Sequence, residues 1–109
     1  MKEKSRKYLS DILRAIDLIE SFVDDTNSFD EYQNDYKTQS AVERQLSIIG
    51  EAVNKFRQHC PDVDLENTKQ IVGFRNRLIH AYDSIDNSIV WVIIKKYLAP
   101  LKKTVKEML

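Results

Sequence analysis

The chain reads as an all-α domain, an antiparallel four-helix bundle with room for a short extra helical turn near residue 30. Three observations predict this. Only 2 Gly and 2 Pro interrupt 109 residues. Apolar residues recur at spacings of three and four along most of the chain. Short clusters of polar turn-formers separate the periodic stretches. The length fits one domain, residues 1–109. A domain this small buries a modest share of its surface, and a two-fold pair is the commonest way to cover the rest. A homodimer is therefore expected.

The first helix carries Tyr8, Ile12, Ile16, Ile19, Phe22 and Val23 on one stripe, with Ser5 as candidate N-cap. It fades at Asp24-Asp25-Thr26-Asn27. Ser28-Phe29-Asp30-Glu31 fits a capping box, serine followed three residues later by glutamate, and a bend is expected between Tyr32 and Thr38. In the second long helix Val42, Leu46, Ile49, Val53 and Phe56 form the apolar stripe, and Glu43, Arg44, Glu51 and Lys55 lie on the other side. Gly50 sits in its middle, where glycine costs about 1 kcal/mol relative to alanine, so close helix packing is expected there. Pro61 ends this helix around His59-Cys60.

Either Asp64 or Asn67 can cap the third helix, which runs to about Tyr82. Asp86 caps the last, with Ile89, Val90, Trp91, Ile93, Ile94, Tyr97, Leu98, Leu101, Val105 and Met108 in its pattern. Pro100 falls inside that pattern and should kink or split the helix near Leu98-Ala99.

Composition narrows the function classes. With 17 basic and 17 acidic residues the formal net charge is zero. No global basic field draws the chain onto nucleic acid, so any such contact must come from a local cluster. One cysteine, Cys60, excludes an internal disulfide. No apolar run approaches transmembrane length and the charged start does not read as a signal peptide, so a cytoplasmic protein without membrane contact is expected. Two histidines and a cysteine far apart in sequence offer no metal-ligand spacing, and neither metal nor cofactor is expected.

Chemistry-bearing residues crowd into Gly73-Phe74-Arg75-Asn76-Arg77-Leu78-Ile79-His80-Ala81-Tyr82. On a regular helix Ile71, Phe74, Leu78 and Tyr82 share a core face, and Gly73, Asn76 and His80 fall within about 60° of one another on the outside. Glycine on that outer stripe lets another backbone approach, so this face is expected to meet a second copy. Arg75 lies roughly 140° from His80. A long arginine arm, a local distortion or the second protomer could close that gap.

An imidazole moves protons near neutral pH, as RNA cleavage by its own 2′-OH requires. A guanidinium supplies fixed charge and donors to the phosphoryl oxygens. Asn76 could orient the imidazole or donate to phosphate, and Arg77 adds positive charge. Taken singly these residues are ordinary. A histidine near a helix end is usually a surface or capping residue, and a nearby arginine usually an exposed ion-pair partner.

Together, Arg75-(four residues)-His80-Ala81-Tyr82 resembles the R-x4-H-x-Y signature of the HepT-like toxins of the HEPN superfamily. Ala41-Val42-Glu43-Arg44 and Ile48-Ile49-Gly50-Glu51-Ala52 resemble family segments upstream, so the likeness spans essentially the whole chain. A tryptophan frequent in relatives near Thr68 is absent.

The resemblance implies a homodimeric bundle with a composite cleft and metal-independent endoribonuclease activity, as the toxin of a type VII-like toxin–antitoxin module. It implies His80 as general acid/base, Arg75 on phosphate and Asn76 assisting in the cleft; Arg77, from its charge, is a further candidate to support it. Tyr82 would receive adenylyl groups from a cognate minimal nucleotidyltransferase antitoxin. The competing reading is a non-catalytic accessory domain that binds nucleotide or substrate for a partner nucleotidyltransferase. Arg44 and Glu51 are candidates to border the cleft. His59 and Cys60 read as a helix end and a small buried thiol.

Overall fold

Helices form where the apolar period runs, and capping side chains set three of their starts. The computed structural model describes residues 1–80 and 85–109, with Ile79 and His80 described as helix backbone only. Helix α1 spans Glu3–Phe22 and buries Leu9, Ile12, Ala15, Ile16 and Ile19. It starts two residues before Ser5, which is not its cap. Ser5 is buried in the first turn, where its hydroxyl accepts a hydrogen bond from Cys60 Sγ at 3.3 Å.

The short α2, Phe29–Gln33, is capped by Ser28, whose Oγ accepts from the Glu31 N–H at 3.2 Å. The Glu31 carboxylate reaches back to the Asn27 N–H at 2.6 Å, one residue earlier than in a regular capping box. The expected bend falls at Asn34-Asp35. Asp35 caps α3, Tyr36–His59, by accepting from the Thr38 N–H at 3.1 Å and the Thr38 hydroxyl at 2.6 Å. The Gln39 amide donates to the carbonyls of Tyr32 and Gln33, binding α2 to the start of α3.

Helix α4, Lys69–His80, begins after Thr68. Neither Asp64 nor Asn67 caps it. Asn67 adopts φ 67°, in the left-handed region, whereas a cap residue is typically extended. The Thr68 carbonyl accepts from the Val72 N–H at 2.9 Å. The Thr68 hydroxyl donates to the Leu65 carbonyl and accepts from Arg57 Nη2 at 2.9 Å. Thr68 is thus buried and fastened to α3.

After Asp86, which caps as expected, come α5, Asn87–Val92, a wide turn at Ile93–Tyr97 and α6, Leu98–Met108. In the wide turn the Leu98 N–H reaches the Ile93 carbonyl, five residues back. Pro100 therefore occupies the third position of α6. Its missing N–H and bulky ring oppose regular bonding to the turn before it, and a π-type widening absorbs the mismatch. The interruption lies a few residues upstream of Leu98-Ala99.

Helix α3 is the central member. Helices α1 and α4 pack along it, and α6 packs on α1. Cross-links fix the senses as antiparallel. Tyr8 of α1 stacks on His59 of α3 with centroids 5.5 Å apart. Lys102 of α6 pairs with Asp17 and Glu20 of α1 at 3.0 and 2.7 Å. Arg57 of α3 meets Thr68 just before α4.

The shared core includes Ile12, Ile16, Leu46, Val53, Phe56, Ile71, Val90, Ile93 and Val105, all fully buried. Burial of such side chains contributes about 1.5–3 kcal/mol each, against the entropy of ordering the chain. At the far end Tyr32 of α2 lies on Trp91 of α5, centroids 5.6 Å apart. Helices α4 and α5 scarcely touch, and a groove separates them. No described helix is long and apolar enough to cross a membrane.

Candidate functional site

Helix α4 is positioned by its core face. Ile71 and Phe74 are buried and Leu78 is half-buried, as the helical spacing predicts. Burying that face turns the intervening residues to the flanks and outward. Gly73, Asn76 and Arg77 are exposed. Among the described residues, a Cβ added to Gly73 would meet no atom within 4 Å beyond its own stretch of helix, so this part of the outer stripe is open to a visitor.

Arg75 takes the flank facing α3, and Gly50 gives it room. A Cβ built on Gly50 would stand 2.7 Å from Arg75 Cβ and 3.0 Å from its Cγ. The aliphatic stem of Arg75 thus lies over the bare backbone of α3, and the mid-helix glycine costs helix propensity in exchange for this approach. Arg75 Nε is buried, and among the described residues nothing accepts its hydrogen. An unmet buried donor costs about 1–3 kcal/mol and calls for a reason.

The remaining candidates divide. Arg77 points into the groove between α4 and α5, on the other side of the helix from Arg75. His80 ends α4, at helical spacing from Gly73 and Arg77, and its side chain lies outside the described residues, as does all of Tyr82. A single chain therefore places Arg75 and the Gly73/Arg77 stripe on different flanks. Arg44 and Glu51 line the α1 side of α3, Glu51 paired with Lys55 at 3.3 Å. His59 is exposed at the end of α3 under Tyr8, and Cys60 is half-buried.

Two features were not assigned from sequence. Glu43 belongs by its spacing to the polar side of its helix, yet it is half-buried, and burial raises its carboxyl above the ordinary value. The antiparallel register pairs Thr68 with Arg57 and Arg75 with Gly50, which sets Gln45 opposite the last residue of α4 and Glu43 two positions beyond Gln45. The groove itself, about 510 Å³, is lined by Lys69, Phe74 and Arg77 from one side and Ile89, Val92 and Tyr97 from the other. Only its α4 half could be foreseen, because the position of α5 follows from tertiary packing. Among the described residues no three His, Cys, Asp or Glu side chains are grouped as metal ligands.

Comparison with known proteins gives a consistent picture. A family model described as "Ribonuclease HepT-like" matches residues 12–108. A Thermococcus cleftensis protein named "Probable ribonuclease HepT" is 38% identical over 106 residues, covering 94% of this chain and 93% of that protein. A Methanocaldococcus jannaschii protein named as a candidate RNase is 37% identical over 109 residues, covering 96% of each. Another, from Caldanaerobacter subterraneus, is 36% identical over 108 residues, covering 95% of this chain and 93% of the relative. No solved structure matches the chain.

Proposed function

This chain belongs to the HepT-like ribonuclease family, and on that premise we propose that it is a metal-independent endoribonuclease, the toxin of a toxin–antitoxin pair. The observation that carries the reading is Arg75. Its stem is seated over Gly50 and its Nε–H is buried without a partner among the described residues, five residues before His80 on one helix. A guanidinium held by packing keeps its fork oriented, as stabilisation of a phosphoryl transition state requires.

The chemistry needs few parts. The ribose 2′-oxygen attacks the adjacent phosphorus, and the bond from phosphorus to the 5′-oxygen breaks. The products are a 2′,3′-cyclic phosphate and a 5′-hydroxyl. His80 is the proton-transfer group, Arg75 balances charge on the phosphoryl oxygens, and Asn76 and Arg77 support the cleft. Because the nucleophile is the substrate's own hydroxyl, no metal-bound water is required. A second copy packed on the Gly73/Asn76/His80 face completes the cleft and bridges the separation of Arg75 from His80. The cognate partner, a minimal nucleotidyltransferase, silences the toxin in the cytoplasm by adenylylating Tyr82, which adds charge and bulk beside the cleft.

The test is cleavage of a short structured RNA by purified protein in EDTA, beside His80→Ala and Arg75→Ala. Wild type should cleave and leave a cyclic phosphate, and each variant should lose at least about a hundredfold, the scale of a positioned acid/base or oxyanion donor. Absence of cleavage by folded, dimeric, unmodified protein on several RNAs would overturn the catalytic reading in favour of an accessory domain.

A further inference from the structure

The groove between α4 and α5 shares Arg77 with the proposed cleft, and the rest of its make-up is specific. Its volume of about 510 Å³ lies within the usual range of small-molecule pockets. Phe74, Ile89 and Val92 supply an apolar wall, and Val92 is 46% exposed there, a large aliphatic group facing solvent. Lys69 and Arg77 stand eight residues apart on α4, about 12 Å along its axis. Among the described residues no acidic side chain lines the groove. Among the described residues neither cation forms an ion pair, and Asp86, which lies close enough to Arg77 to feel its charge, is engaged in capping through Ser88.

An apolar slot between two cations matches a nucleotide, whose base has apolar faces and whose flanking phosphates are anionic. The occupant must be single-stranded, because a base paired within a duplex cannot enter a slot. The chain as a whole has no net positive charge, so a local pair of cations has to supply the phosphate attraction. Gly73 keeps the rim low, since an added Cβ would meet nothing there, and Gln70 brings both donors and an acceptor to the same wall. The residues Gly73 and Arg77 lead at helical spacing to His80, so whatever lies in the groove continues toward the proposed reaction centre.

We propose that the α4–α5 groove is a nucleotide subsite that seats one unpaired base of the RNA next to the cleaved phosphodiester. This rests on the ribonuclease reading for the identity of the substrate, and it makes the enzyme prefer unpaired RNA flanking the cut.

The experiment uses two variants away from the proposed catalytic pair, Val92→Glu and Lys69→Glu, on the full chain. Val92→Glu puts a carboxylate in the slot at an exposed position. Lys69→Glu reverses a rim charge at the first residue of α4, where an acidic residue suits the helix dipole and should not impair folding. Each should raise KM for a single-stranded oligoribonucleotide by about tenfold, the scale of one stacked base, while kcat falls far less. Fluorescence anisotropy with the same oligonucleotide in the His80→Ala background should show a matching loss of affinity.

An unchanged KM and affinity in both folded variants would overturn the subsite. So would conversion of a dimer to a monomer by Val92→Glu with RNA affinity restored at high protein concentration, since the groove would then be a protein interface. If wild type cleaves no RNA but binds the oligonucleotide, and both variants lose that binding, the subsite stands and the ribonuclease reading falls. If wild type neither cleaves nor binds, both fall.

Discussion

Arg75 and Gly50 act as one unit at the scale of single residues. Adding a methyl group at position 50 forces it to within 2.7 Å of Arg75 Cβ, and neither atom is the free end of a flexible chain. The helices must separate. Gly50→Ala should therefore destabilise by about 1–2 kcal/mol, overpacking outweighing the roughly 1 kcal/mol gained in helix propensity, and it should reduce RNA cleavage more than a neutral surface change does. Denaturant unfolding beside a cleavage assay checks this, and a variant as stable and active as wild type would count against the contact.

Tyr32 offers a second test at the same scale. Its ring is fully buried on Trp91, yet its hydroxyl has no partner among the described residues. Burial, helped by the charges of Glu43 and Asp35, raises its phenol well above the ordinary value. The folded state thus keeps its proton where the unfolded state loses it, so stability falls as pH rises above about 10, the unfolded value. Tyr32→Phe should gain about 1 kcal/mol near neutrality and flatten that alkaline loss, as read from melting temperature against pH.

Secondary elements depend on a few side-chain caps, and these carry their own pH signature. Asp35 is held below the usual carboxylate range by the Thr38 hydroxyl and N–H, and Asp86 by the Ser88 hydroxyl and N–H. A lowered folded value means the stabilisation is complete above the unfolded value, near 4, and disappears as pH falls through the folded one. Asp35→Ala should lower the melting temperature at neutral pH and change little at about pH 2. The elements were legible in sequence where the signal is local. The stripe from Val42 to Phe56 is wholly buried, Ser28 and Asp86 cap as written, and Pro61 ends α3.

Legibility stopped where a residue answers to a distant neighbour. Ser5 looked like a cap because its type suits one, but Cys60, far along the chain, draws it into the core. Asn67 suits a cap equally well, and the turn uses its tolerance of positive φ instead. Pro100 announced a break, but the neighbouring turns decided that a widening at Ile93–Tyr97 would absorb it. The candidate site divides the same way. The residue types and spacing on α4 are in the sequence, and so is the cost of Gly50, but nothing local links Gly50 to Arg75 or brings Val92 and Tyr97 opposite Lys69 and Arg77.

The whole molecule is expected to work as a pair. Helix α4 presents open backbone at Gly73 and the exposed amide of Asn76 on its outer stripe, and a second α4 could approach there. Gly73→Leu fills that gap and should shift the sedimentation mass from dimer toward monomer, with cleavage lost in parallel. A dimer of unchanged mass would place the interface elsewhere. Val92→Glu should lower RNA affinity with mass unchanged, whereas Gly73→Leu, at a residue that also lines the groove, should alter both.

The open flank of α4 also has a consequence in time. Helix α1 is gripped by both α3 and α6, whereas α4 leans on α3 and has the groove on its other side. Amide hydrogens of α1 should exchange with solvent only when the whole domain unfolds. Those along the middle of α4 should exchange through a smaller opening of lower free energy. A ligand lying in the groove would supply the missing second wall. Deuterium uptake in α4 should then slow on oligonucleotide binding while that in α1 keeps its pace, which makes the residence of a substrate visible as a local clock.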